Sequence, residues 1–136
     1  MSEVDPRYPL FDNVLDQLRT ASGRPLAEIT AEAAAQGQLS MAYLQICAAT
    51  LRAQAQVARA AGYPQLAENL TRAAELTAVP NAEVLRMYNL LRPGRASAAE
   101  LAALAAGLES DYHAPECARL AREAAVVYET RKLLRP

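Results

Sequence analysis

Acid–base or nucleophilic catalysis near neutral pH needs a base within hydrogen-bonding reach of the group it activates, and histidine is the side chain best suited to it. The chain offers one, His113, set between Tyr112 and Ala114 just before Pro115. That is the setting of a helix end, where a polar or positive side chain is stabilised by the free carbonyls, so a capping role is expected rather than a catalytic one. Cys47 and Cys117 are isolated from one another and lack both a C-x-x-C partner and a neighbouring set of His ligands. They are expected to be ordinary buried thiols in a reducing setting. Glu109 and Asp111 form a carboxylate pair, but positions two apart on a helix point in different directions and cannot clasp a metal or share a proton. Glu68 and Arg72, four apart, fit a surface ion pair. No Gly-rich phosphate loop, GxSxG, HExxH or EF-hand pattern is present. No catalytic, cofactor-binding or metal-binding residue is therefore assigned to this chain.

One segment stands out for recognition instead of catalysis. Tyr88-Asn89-Leu90-Leu91-Arg92-Pro93-Gly94-Arg95 concentrates aromatic, aliphatic and guanidinium groups at a helix C-terminus. Tyrosine and arginine are the types that most often anchor interfaces, which makes Tyr88, Leu91, Arg92 and Arg95 interface candidates. The alternative is that Tyr88 and Leu91 are core and the arginines cap the last carbonyls of the helix. Both readings stay open at this stage.

The elements that must carry these residues are helices. β-Branched and aromatic residues never gather into an alternating run, whereas Ala, Leu, Glu, Gln and Arg dominate. The expected fold is all-α: a single domain of about five to six helices joined by short linkers, with an extended N-terminal arm. Residues 1–25 form that arm, with one or two helical turns around Leu10, Phe11, Val14, Leu15 and Leu18, and residues 26–136 form the helical domain. Thr30 is a candidate N-cap for a short helix closed by Gly37. Ser40 is another N-cap, for a helix running continuously from Met41 to Ala61 with Leu44, Cys47, Leu51, Ala55 and Ala58 on one face. Gly62, Tyr63 and Pro64 end it. The next helix spans Gln65 to Ala78, with Leu66, Leu70, Ala73 and Thr77 on one stripe. Pro80 limits it and opens another, with Val84, Met87, Tyr88 and Leu91 at helical spacing. Ser97 and Glu100 read as a capping box for a helix whose stripe is Leu101, Leu104, Ala105 and Leu108. Pro115 suits the first turn of the last helix, with Leu120, Ala121, Ala124, Val127 and Tyr128 on its face.

Composition narrows the function classes. The 136 residues fit one domain and are 52% apolar, but much of that is alanine, with no Trp, one Phe and only Ile29 and Ile46 as isoleucines. Burial free energy follows apolar area, so the core is thin and a partner surface is expected. Net charge is −1 with both signs interspersed, and the arginines from Arg86 to Arg95 are interrupted by apolar residues. This is not a phosphate-binding stripe, so no nucleic-acid partner is expected. No apolar run approaches the ~18–20 residues that span a bilayer, and Met1 to Leu10 lacks a basic, then apolar, leader pattern. A cytoplasmic protein with no membrane partner is expected.

The segment Arg72-Ala73-Ala74-Glu75-Leu76-Thr77-Ala78-Val79-Pro80, followed by Tyr88-Asn89-Leu90-Leu91-Arg92-Pro93, resembles the small subunit of coenzyme B12-dependent diol and glycerol dehydratases. Tyr8-Pro9-Leu10 resembles the family's opening, and Gly23-Arg24-Pro25-Leu26 with Ile29-Thr30 its next signature. Thr50-Leu51-Arg52, Gln54-Ala55, Arg122-Glu123-Ala124 and Val127-Tyr128 are similar too, so the resemblance runs from about Tyr8 to Arg135. It implies a heterohexamer with two copies each of large, medium and small subunits, converting glycerol or 1,2-diols to an aldehyde and water by a radical route. It further implies that the large subunit is a barrel holding substrate and metal ion. Adenosylcobalamin would sit between the large and medium subunits, and the small helical subunit would pack on the large one. No catalytic residue carries over to this chain.

Two departures from the family pattern bear on expectations. Some microcompartment-associated members carry an N-terminal extension resembling an encapsulation signal, whereas seven residues precede Tyr8 here, so encapsulation through this subunit is not expected. Gly94 stands where an aromatic residue is more usual, which implies a weaker local contact. Ala48 stands where a polar capping type is usual, which implies a helix unbroken through Ala48. The leading expectation is a non-catalytic subunit that stabilises the large one by covering apolar surface. The alternatives are a free-standing, self-oligomerising helical adaptor and a small helical regulator of DNA, which would show salt-dependent DNA retention.

Overall fold

Ala, Leu, Glu, Gln and Arg supply most of the chain beyond residue 30, and they fold as their helical preferences require. The computed structural model describes residues 3–136. Its helices are α1 (Leu10–Val14), α2 (Ala31–Ala35), α3 (Ala48–Ala60), α4 (Pro64–Leu76), α5 (Asn81–Leu90), α6 (Ala98–Ser110) and α7 (Pro115–Thr130). Short 3-10 turns lie at Leu15–Gln17, Leu26–Glu28 and Met41–Leu44. Among the described residues there is no strand, only an isolated antiparallel bridge between Arg19 and Pro25. The all-α expectation holds, with five helices of ten residues or more. The chain forms two compact units, one running to Thr77 and the other Ala78–Pro136.

In the first unit α1 and the 3-10 turn after it are followed by a reversal over residues 19–25, where the Thr20 N–H donates to the Arg24 carbonyl at 2.9 Å and Arg19 bridges to Pro25. Val4, Leu10, Val14 and Leu18 bury themselves against Ala53 of α3, with Leu15, Leu26, Ala49 and Val57 around them. Arg24 ties the following loop together. Its guanidinium bonds Glu28 at 3.1 Å and the Gln38 carbonyl at 3.0 Å, and it lies 5.1 Å from the Tyr43 ring centroid. Thr30 caps α2 by accepting the Ala33 N–H at 3.1 Å. Gly37, at φ +67, lets its own N–H and that of Gln38 return to the Ala34 and Ala33 carbonyls, which closes the helix.

The continuous helix expected from Met41 to Ala61 is not formed. Met41–Leu44 is a 3-10 turn, Gln45 and Cys47 are extended, and α3 starts at Ala48 with Cys47 as an N-cap that makes no side-chain bond. The reason is tertiary: the Gln45 carbonyl accepts the Ala21 N–H at 3.0 Å. A helix through Gln45 would turn that carbonyl along its own axis and break the bond. The same finding corrects the unbroken passage expected through Ala48.

α3 then packs along α4 through alanine. Ala55, Ala58 and Ala67 are buried together with Leu70 against them. The stripe expected on α4 is therefore shifted: Ala67, Ala74 and Glu75 are buried, while Leu66 and Thr77 are exposed. Small side chains let the two backbones approach, and the larger leucine is displaced outward. α4 also stops at Leu76, two residues short of the expected end.

In the second unit α6 packs along α7. Leu101, Leu104, Ala105 and Leu108 are all buried, as expected, and each leucine contributes about 1.5–3 kcal/mol by leaving water. The capping box forms: Glu100 N–H donates to Ser97 Oγ at 3.3 Å, and Ser97 N–H donates to Glu100 Oε2 at 2.8 Å. Arg135 adds a bond to the same carboxylate at 2.7 Å. These backbone and hydroxyl donors, with Arg135 behind them, hold the Glu100 carboxyl below the ordinary carboxylate range. On α7 the buried residues are Cys117, Ala118 and Ala121, whereas Leu120 and Val127, expected inside, are exposed. On α5 Met87 is buried, Val84 and Leu91 are half-buried, and Tyr88 is exposed.

Candidate interaction surface

The groups that could do chemistry are dispersed. His113 lies on the α6–α7 turn at φ +51, a left-handed conformation that histidine tolerates better than most residues. Its position at a helix end is the expected one, but its imidazole is exposed and caps no carbonyl. The Gly107 and Leu108 carbonyls instead receive the Asp111 and Ala114 N–H groups, both at 2.9 Å. Glu109 pairs with Arg122 of α7, which holds its carboxyl low, whereas Asp111 accepts the Ser110 hydroxyl at 2.6 Å. The two carboxylates share no partner. On α4, Arg72 donates to Asn69 Oδ1, and Glu68 is half-buried. Cys47 and Cys117 are buried, as expected, and neither is in a disulfide. Among the described residues no group of His, Cys, Asp and Glu could hold a metal ion.

What the structure presents instead is hydrocarbon. Among the described residues, twelve large apolar side chains are exposed, more than the ten leucines, valines and methionines that are buried. Eleven further buried residues are alanines. In the first unit four of the exposed residues converge: Tyr8 (76%), Phe11 (62%), Tyr63 (63%) and Leu66 (50%) edge an open groove of about 810 Å³ floored by Leu18 and Val57. Its polar side chains are Thr50 and Gln54, apart from the tyrosine hydroxyls. The volume suits a ligand, but no charged group converges there to orient one. Local reading missed this groove because it joins the arm to residues flanking Gly62. The one signal was that Tyr8 with Phe11, and Tyr63 with Leu66, are each aromatic or aliphatic pairs three apart.

The four interface candidates lie in the second unit. Tyr88 is 66% exposed on the last turn of α5, Leu91 is half-buried at its C-cap, and Arg92 and Arg95 are exposed in the turn that follows. The Tyr128 hydroxyl of α7 donates to the Leu91 carbonyl. Two further carbonyls at this end accept backbone N–H groups: Met87 from Leu91 at 2.9 Å, and Asn89 from Arg92 at 3.3 Å. Neither arginine side chain caps the helix. Gly94, at φ +76, donates its N–H to the Leu133 carbonyl at 2.7 Å and so joins this turn to the end of α7.

Comparison with known proteins gives this surface its context. The family described as dehydratase small subunit matches residues 4–135. The propanediol dehydratase small subunit of Citrobacter freundii is 42% identical over 128 residues, covering 94% of this chain and 74% of the relative. The propanediol dehydratase small subunit of Salmonella typhimurium is 42% identical over the same length and coverage. A family match over residues 4–135, together with relatives 42% identical over 94% of the chain, leads to one conclusion: this chain belongs to the dehydratase small-subunit family.

Proposed function

We propose that this chain is the non-catalytic small subunit of a coenzyme B12-dependent glycerol or propanediol dehydratase, and that it stabilises the large catalytic subunit by covering its apolar surface. In this reading the holoenzyme is a cytoplasmic heterohexamer with two copies each of large, medium and small subunits. It converts a 1,2-diol to an aldehyde and water, and the choice between glycerol and propanediol is made in another chain. The observation that carries the reading is the apolar exposure. Monomeric proteins rarely leave contiguous hydrocarbon of this kind in water, and the groove edged by Tyr8, Phe11, Tyr63 and Leu66 is such a patch. Residues 1–25 act as an arm that completes the groove through Tyr8 and Phe11, and residues 26–136 are the helical domain.

Adenosylcobalamin would supply the radical chemistry when bound by the other subunits. This chain's residues do not fit it: His113 stands exposed on a turn, and no charged side chain lines the groove to meet the cofactor's phosphate. The interface candidates Tyr88, Leu91, Arg92 and Arg95 are part of the docking surface in this reading. No described helix is long and apolar enough to cross a membrane.

Co-expression tests the proposal. The large subunit is expected to be poorly soluble and to lose dehydratase activity when this chain is omitted, and to regain both when it is supplied. A large subunit that stays soluble and fully active alone refutes the stabilising role. A purified chain that forms a monodisperse homo-oligomer and ignores the large subunit would support the self-associating adaptor instead.

A further inference from the structure

The cations of the second unit are sorted by position. Arg86 pairs with Glu83 at 2.5 Å, Arg119 with Glu116 at 2.6 Å and Glu123 at 2.7 Å, Arg122 with Glu109, and Arg135 with Glu100 at 2.7 Å. The other four, Arg92, Arg95, Arg131 and Lys132, are exposed and make no ion pair among the described residues. All four lie where α5 and α7 end. Two backbone bonds bring these stretches together: Gly94 N–H to the Leu133 carbonyl at 2.7 Å, and Arg135 N–H to the Ala96 carbonyl at 2.8 Å.

Capping does not account for them. The last carbonyls of α7 are met by backbone donors, Val127 by Arg131 N–H at 2.9 Å, Glu129 by Lys132 N–H at 3.2 Å and Tyr128 by Leu133 N–H at 2.8 Å. Lys132 even adopts φ +55 to close that turn. Nor are the four neutralised locally. Glu100 is occupied by Ser97 and Arg135, and the exposed Glu129 makes no ion pair among the described residues. In a chain whose net charge is −1, this end carries a local cationic excess.

We infer that the end of the second unit formed by Arg92, Arg95, Arg131 and Lys132 is a cationic docking surface for a carboxylate-rich face of the large dehydratase subunit. The inference rests on the small-subunit reading above. Guanidinium groups bind carboxylates through paired parallel hydrogen bonds, which fixes orientation as well as attraction. Tyr88, exposed on the last turn of α5, supplies an aromatic contact beside the charges. Complementary charge chiefly sets encounter rate and register, and it makes binding salt-dependent.

The test is retention of the large subunit by the affinity-tagged chain, co-expressed with large and medium subunits. Wild-type retention is expected to fall as salt is raised from about 0.1 M to about 0.5 M, where exposed charges are screened. The variant R92E/R95E/R131E/K132E is expected to retain the large subunit at least about tenfold less well, by opposing like charges. Reversal of two exposed cations of the first unit, R52E/R59E, is expected to leave retention unchanged. If the fourfold reversal lowers the helical signal, the neutral variant R92Q/R95Q/R131Q/K132Q carries the test, with a smaller loss and a flattened salt dependence expected. Wild-type retention by the fourfold variants overturns the inference while leaving the small-subunit reading intact, and an equal loss in R52E/R59E overturns it as well. A wild-type chain that retains no large subunit overturns both, and selective capture of duplex DNA by this end would assign the cations to another partner and overturn the inference.

Discussion

Ala67 on α4 is fully buried, at 0% exposure, among Ala55, Ala58 and Leu70 where α3 and α4 meet. Its neighbour Leu66 is 50% exposed. Ala67→Leu forces three extra carbons into a filled contact, and overpacking of this kind costs about 1–3 kcal/mol. Alanine and leucine are both strong helix formers, so a loss of that size is not a propensity effect. Leu66→Ala removes carbons that are already half in water, which costs about 1 kcal/mol or less in the isolated chain. For a chain of this length about 1 kcal/mol moves the melting temperature by roughly 4 °C. Ala67→Leu is therefore expected to melt about 4–12 °C lower and Leu66→Ala within about 4 °C of the parent, by far-ultraviolet circular dichroism. The reverse order, with Leu66→Ala the more damaging, would refute the alanine-mediated packing of α3 on α4.

Ser97→Ala removes the N-cap of α6 and is expected to lower stability by about 1 kcal/mol, read as a lower urea midpoint. Acidification should weaken the second unit in particular. Glu100, Glu109 and Glu83 are held below their ordinary range by hydrogen bonds to Ser97, Arg122 and Arg86 respectively, so their stabilisation is present above the unfolded carboxylate range and is lost as pH falls through their folded values. Urea midpoints taken from about pH 5 down to about pH 2 should fall, and Glu100→Gln should flatten the fall. Cys47 and Cys117, each 6% exposed, are expected to resist thiol reagents in the native chain and to react together in denaturant.

Features set by neighbouring residues were legible in the sequence. Thr30, Gly37, Gly62, Pro115 and the Ser97–Glu100 box all do what their spacing implies, because caps and left-handed closures are settled within one turn. Gly62 closes α3 as expected: its N–H and that of Tyr63 return to the Arg59 and Ala58 carbonyls at 3.1 and 2.9 Å. The buried stripe of α6 was also correct, since its leucines are the only bulky choice on that helix. Periodicity failed where alanine competes with larger residues for the interior. On α4 and α7 periodicity points to Leu66, Leu120 and Val127 as well as Ala121, yet of these only Ala121 is buried, and the close helix contacts also use Ala67 and Ala118 and turn the large side chains outward. The break before α3 was not legible because it depends on Ala21, more than twenty residues earlier in the chain. Of the surfaces, Tyr88, Arg92 and Arg95 could be read locally. Arg131 and Lys132 join them only through the Gly94–Leu133 bond, and the groove needs the arm folded against α3.

Hydroxyl-radical footprinting of this chain, alone and in the assembled dehydratase, measures the central claim side chain by side chain. Tyr8, Phe11, Tyr63, Leu66 and Tyr88 should react readily in the free chain and become protected in the complex, while the already buried Leu101 and Leu108 stay unreactive in both. Equal reactivity of the five exposed side chains in the two samples would mean that no larger subunit covers them.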